Sequence, residues 1–253
     1  MRRATAVFAG DTFILLVYCL ATNALGINEG PVARRKAMHS GRLSGHGLVK
    51  VPALITLGVT VLRLAGELMG WTTAMFSREA GGGMSLIGIV WLIPIFGVYF
   101  AWKLAKAGKA SVGAGRTIVY ALMGLAIVIV TSGILMLVAK ETDVWVLFVI
   151  AAASLLAAYV VAKGWSELAS TLLAYGLAAR IPVSVVMFFA IRGNWGTHYD
   201  VVPSPDFPAM NWFAKWVVIG LVPQMTIWVA FTMIMGAIFG GITLAIMGRR
   251  SSI

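Results

Sequence analysis

The chain is short of acid, short of charge altogether, and short of the residues most enzymes use. Nine Asp and Glu stand against 20 Lys and Arg in 253 residues, and charged side chains make up 11% of the total. A soluble domain carries roughly 25%, so an ordinary soluble core is excluded. The single cysteine, Cys19, permits no intramolecular disulfide. The three histidines, His39, His46 and His198, all fall in connections between apolar runs, which argues against a haem held between membrane helices. No lysine falls inside an apolar run, so a retinal-type Schiff base is excluded as well. A Walker loop, an HExxH pair and a serine nucleophile elbow are all missing. The only clustered groups of the kind a catalyst needs are Asp11, Glu67 and the loop "THYD" at 197–200. No cofactor and no metal is expected.

What the chain has is grease. Hydrophobic residues make up 60%, and the mean hydropathy is +0.92. Repeated apolar runs of about 18 residues or more are long enough to cross a ~30 Å hydrocarbon core as helices. The ~10-residue alternation of a membrane barrel is not seen. The expected fold is an all-α integral membrane bundle in one domain, with about seven spans at 5–25, 51–70, 85–102, 117–139, 144–162, 168–191 and 216–247. Trp71, Trp102, Trp145, Trp165, Trp195 and Trp216 sit near span ends, as in an aromatic belt.

The net charge of +11 would suggest nucleic acid in a soluble chain. Here the cations lie in connections, and they alternate. One side collects Arg34, Arg35, Lys36, Arg42, Lys50, Lys103, Lys106, Lys109, Arg116, Lys163, Arg249 and Arg250, twelve in all, against Glu29 and Glu167. The other collects six basic residues (Arg2, Arg3, Arg78, Lys140, Arg192, Lys215) and five acidic ones (Glu79, Glu141, Asp143, Asp200, Asp206). Cations are retained on the cytoplasmic face, so a bacterial-type inner membrane is expected, with the C-terminus inside and the N-terminus outside. The opening "MRR", followed by "TFILLVYCLATNA", has the outline of a signal peptide. Cleavage there would leave the 34–50 cations outside, so a retained span is expected. A segment lying in the inner interface is the alternative. The basic loops should also attract anionic lipid headgroups, at about 1 kcal/mol per cation; nucleic acid is not an expected partner.

Arginine then proline occurs twice, Arg63 with Pro94 and Arg180 with Pro223. Two parallel three-helix units, 5–102 and 144–247, joined by the 117–139 helix, would account for it. In topology alone this resembles the parallel repeats of some sugar transporters, which implies a substrate site near mid-membrane between the units.

The stretch "VLRLAGELMGW" at 61–71 places Arg63 and Glu67 four residues apart on one helix face, close enough to pair. An arginine at mid-membrane costs about 2.5–3.5 kcal/mol on insertion scales. By helical rise, Glu67 lies roughly 6 Å, Asp11 roughly 10 Å, Arg63 roughly 12 Å and Arg180 roughly 17 Å below the outer boundary. The expected centre is therefore a near-neutral cluster of Asp11, Arg63, Glu67 and Arg180, with Pro94 and Pro223 bending helices beside it. His198 and Asp200 in the long outer loop are candidates for a lid, and Trp91 and Trp228 for stacking on a ligand. Gly66–Gly70 and Gly236–Gly240 have the spacing that brings helices close. Three roles fit such a centre: first a carrier or binder of a small polar or anionic solute or lipid headgroup, then a non-catalytic structural or assembly subunit of a larger membrane complex, and last a small integral-membrane enzyme.

Overall fold

In hydrocarbon every backbone N–H and C=O must be bonded within the protein, and helices do this residue by residue. The computed structural model describes residues 45–83, 85–110, 113–140 and 143–250, and these are helical throughout apart from their connections. The helices are α1 (Gly45–Leu68), α2 (Leu92–Lys106), α3 (Ala114–Val138), α4 (Val144–Ala162), α5 (Ser166–Gly193), α6 (Trp212–Lys215), α7 (Val222–Met225) and α8 (Ile227–Arg250). Among the described residues there are no strands, and six helical stretches are long and apolar enough to cross a membrane. The expected span at 5–25, with Asp11, lies outside the described residues, and with it the first member of the expected repeat. Within the rest, α5 packs along α8, whereas α1 and α2 meet only slightly.

The bounds of α4 coincide with those expected, because its apolar run is unbroken between Asp143 and Lys163. Elsewhere the bounds shift, and α2 begins seven residues later than the expected 85. α1 starts six residues earlier than expected and so includes Lys50. α2 ends at Lys106, and cations in its last turn complement the helix dipole.

α8 is the centre of the bundle and packs on α2, α3, α4 and α5. Phe96, Phe100 and Tyr175 form a buried aromatic cluster where α2 meets α5, with Tyr175 centroids 5.3 and 5.5 Å from the two phenylalanines. The Tyr175 hydroxyl and Thr56 Oγ1 share a 2.9 Å hydrogen bond that ties α5 to α1. Ile129, Val130 and Leu137 on α3, with Phe148, Leu155 and Leu156 on α4, remain exposed, as lipid-facing positions should.

Gly236 and Gly240 bring helices together as their spacing suggests. A Cβ on Gly97 of α2 would stand 2.7 Å from the Gly236 carbonyl oxygen, and Leu172 of α5 fills the space over Gly236. Backbone faces backbone there, so nothing can move aside. Gly97→Val should therefore destabilise by about 1–3 kcal/mol, read as a lowered melting midpoint in detergent; an unchanged midpoint would show that α2 and α8 separate without cost. Gly66 and Gly70 act differently. Gly66 makes room for the Phe76 ring, and Gly70, at φ 67°, lies in the turn after α1. They form no helix–helix seam.

The last span, Trp212–Gly248, is not one rod. Residues Trp216–Leu221 form a π-helical turn, α7 follows, and Thr226 departs from helical angles at φ −114° before α8 begins. Pro223 lacks the N–H that would bond the carbonyl four residues back, so the wide turn precedes it. Pro94, expected to bend a helix, is instead the third residue of α2, where a missing N–H breaks no bond. The interior prolines are Pro52 of α1 and Pro182 of α5.

The connections that follow α2 and α4 meet at one end of the bundle. Arg116 donates to the Lys163 carbonyl there, and the Trp165 indole to that of Lys109. Trp165 is buried in the core, so it does not stand in a belt, while Trp216 is half-buried and donates to the Ser184 carbonyl. The long connections 69–91 and 194–211 lie at the opposite end.

Candidate functional site

The Arg63–Glu67 pair forms as the four-residue spacing predicts, with Nε donating to Oε1 at 2.9 Å. Glu67 is 0% exposed. The rest of the Arg63 guanidinium holds the 69–91 connection. Nη1 donates to the Ile87 carbonyl at 2.9 Å, and Nη2 to that of Gly82 at 2.8 Å and of Ser77 at 3.2 Å. Arg78 in turn donates to the Glu67 carbonyl. The charge is thus spent on folding a connection over the end of α1.

Glu67 also fastens the second long connection. Its Oε2 accepts from the His198 backbone N–H at 2.9 Å, and its Oε1 from Nδ1–H of the His198 ring at 2.5 Å. Glu67 therefore ties α1 to both long connections, to 194–211 through its carboxylate and to 69–91 through its backbone carbonyl and the Arg63 it pairs with. Asp200 does not join this group. It accepts from the Gly196 and Thr197 amides and from the Thr197 hydroxyl, which stabilises its own turn.

Burial pushes the His198 pKa below its ordinary value and the Arg63 charge adds to that, against the raising effect of Glu67. The Glu67 contact already uses Nδ1–H, and Nε2 has no partner among the described residues, so a second proton gains no bond there. The folded chain thus favours neutral His198, whereas the unfolded chain takes up a proton near the ordinary value of about 6.5. Stability from this group is intact above that pH and is lost as pH falls below it. The melting midpoint should drop between about pH 7 and about pH 5.5, and less steeply in His198→Asn, whose amide replaces the Nδ1–H donor. Equal slopes in the two proteins would discard His198 as the titrating group.

Arg180 has a different environment. It is 4% exposed, and Nη1 reaches Gln224 Oε1 only at 3.4 Å. Its Nε is buried without a partner, and the guanidinium stands over the Trp228 ring at 4.6 Å. No acid pairs with it among the described residues. The expected carboxylate from a neighbouring helix is thus replaced there by a neutral amide and an indole face. Asp11, the remaining candidate, lies outside the described residues. Gln224 is placed by the break in the last span: Pro223 and the π turn rotate it inward, where its Nε2 meets the Met187 sulfur.

Arg180, Gln224 and Trp228 line a cavity of about 560 Å³, within the usual range for a small-molecule site. Arg63, His198 and Tyr199 line it as well. Its walls are otherwise mostly apolar, from Val59 of α1, Val146, Leu147 and Ile150 of α4, and Val183 of α5. Two of the four expected centre residues, Arg63 and Arg180, therefore share one cavity, while Glu67 supports it from behind. Trp228 stacks on Arg180, and Trp91 is 64% exposed and lies outside the lining. Gln224 escapes sequence reasoning because a lone neutral amide carries no charge signal; its position beside Pro223 was the available cue. Among the described residues no three His, Cys, Asp or Glu side chains gather as a metal site. No protein-family model, curated protein or solved structure matches this chain.

Proposed function

We propose that this membrane-embedded chain is a binder, and by the depth of its site a carrier, of a small anionic solute or lipid headgroup whose charge is met by Arg180. The observation that carries this reading is a buried guanidinium, paired with no acid among the described residues, in a largely apolar cavity that Asp143 also lines. A buried cation without a counter-ion is costly. An oxyanion entering the cavity would supply that charge, with Gln224 and the rim group Arg63 beside it. Arg180 is 14 residues from the first residue of α5 and 13 from the last, so the charge sits roughly 20 Å from either end of the helix. A solute bound at that depth is part-way across the bilayer. With the lysine-rich end retained in the cytoplasm of a bacterial-type cell, the cavity belongs to the outer half.

The test uses the full chain in nonionic detergent, with acetate, inorganic phosphate and decanoate as probes. At least one should raise the melting midpoint of the wild type, and Arg180→Gln should need about 10–100-fold more of it, the loss expected for one charge-assisted hydrogen bond. Failure of all three to shift the wild type would remove the reading. One observation favours a second reading, that of a structural subunit: every nitrogen of Arg63 is already bonded to protein. That reading accounts for Arg63 and Glu67 and leaves Arg180 unexplained.

A further inference from the structure

α1 and α4 both line the cavity but do not pack along one another; each is attached to the bundle through α5, and α4 through α3 and α8 as well. From α1 the cavity is lined by Val59, Thr60 and Arg63, and from α4 by Val144, Val146, Leu147 and Ile150, with Asp143 just before that helix. Both helices belong to stretches long and apolar enough to span a membrane, so this interval lies at hydrocarbon depth. A mainly aliphatic cleft at that depth, with Asp143 at one edge and leading to a guanidinium, offers little to a small hydrated anion. Such an ion would lose its water shell along the walls and regain few hydrogen bonds. A chain of methylene groups, by contrast, would exchange lipid contacts for valine and leucine contacts at little cost.

We infer that the ligand is an amphiphile: an oxyanion head seated against Arg180 and Gln224, carried on an apolar chain that lies in the cleft between α1 and α4. The head takes the donors Arg180 leaves unused, including its unpartnered Nε–H side. The chain runs past Val59 and Leu147 toward lipid, and entry is lateral, from within the membrane. The shared chemistry covers a free fatty carboxylate and a lipid phosphate alike. This inference rests on the Arg180 reading, but it fails separately from it.

The experiment compares decanoate, dodecyl phosphate, acetate, inorganic phosphate and decanol at equal concentrations on the full chain. Decanoate or dodecyl phosphate should raise the wild-type midpoint, and the better of the two identifies the head. Acetate, inorganic phosphate and decanol should leave it unmoved, and Arg180→Gln should abolish the rise. If acetate or phosphate works as well as the long-chain anions, the anion site stands and the amphiphile is wrong. An equal decanoate shift in Arg180→Gln would mark a detergent-like effect, and the inference falls. A photoreactive fatty acid in vesicles gives a second readout. Labelling should concentrate on peptides spanning 55–63 and 144–151 and be competed by decanoate. Labelling confined to the lipid-facing side chains of α3 would overturn the cleft as the route.

Discussion

Arg180→Met is expected to make the ligand-free protein more stable. Substitution of a buried residue usually costs stability, so the sign is diagnostic. Arginine at mid-membrane carries an insertion cost of about 2.5–3.5 kcal/mol, which methionine removes. Against this stand the Trp228 contact, worth up to about 2 kcal/mol when desolvated, and a long bond to Gln224. With the contact at its upper value the balance is a gain of about 0.5–1.5 kcal/mol, and each kcal/mol moves the midpoint up by about 2–4 °C. The same variant should lose the stabilisation that decanoate gives the wild type. Greater stability with lost binding is the pattern of a site held in an unfavourable state for the sake of a ligand. A lowered midpoint would mean that Arg180 has a counter-charge within the protein, with Asp11 as the candidate, and that the residue serves packing.

How far these features could be read from sequence depends on how local their causes are. The bounds of α4 are legible because two charged residues flank an uninterrupted apolar run. The Arg63–Glu67 pair is legible because four residues make one helical turn. Gly236 is legible as a close-approach point, though its partners, Gly97 and Leu172, are not. Beyond local spacing the reading stops. His198 meets Glu67 across 131 positions, and no pattern links them. Arg180 called for a carboxylate by charge balance alone, but an indole face and a neutral amide stand beside it. Pro223 signals irregularity; whether it bends a helix, opens it or widens a turn depends on its neighbours, and here it follows a π turn that no composition announces. Arg63 illustrates the same limit. Its cost in the membrane pointed to a site, yet its nitrogens satisfy carbonyls of a connection whose path only the folded chain defines.

Glu67→Ala should have the opposite effect to Arg180→Met and a larger one. Removing one partner of a buried pair costs about 3–5 kcal/mol, because the remaining charge keeps its desolvation and loses its counter-ion. Here the loss extends further. The Arg63 Nε–H, the His198 amide and the His198 ring all lose their acceptor at once. The midpoint should fall by about 10 °C or more. Hydrogen exchange should quicken first at the His198 amide, whose acceptor is the missing carboxylate, and then across 77–87, where Arg63 loses its anchor. Glu67→Gln, which keeps the volume but presents N–H groups to donors, should fall between alanine and wild type. A change under about 1 kcal/mol in the alanine variant would show that the two long connections hold their places without it, leaving the carboxylate free for a role in the cavity. The two arginines are thus separable by sign. Weakening the support of Arg63 loosens the fold, whereas deleting Arg180 tightens it, and only the second is expected to cost a ligand.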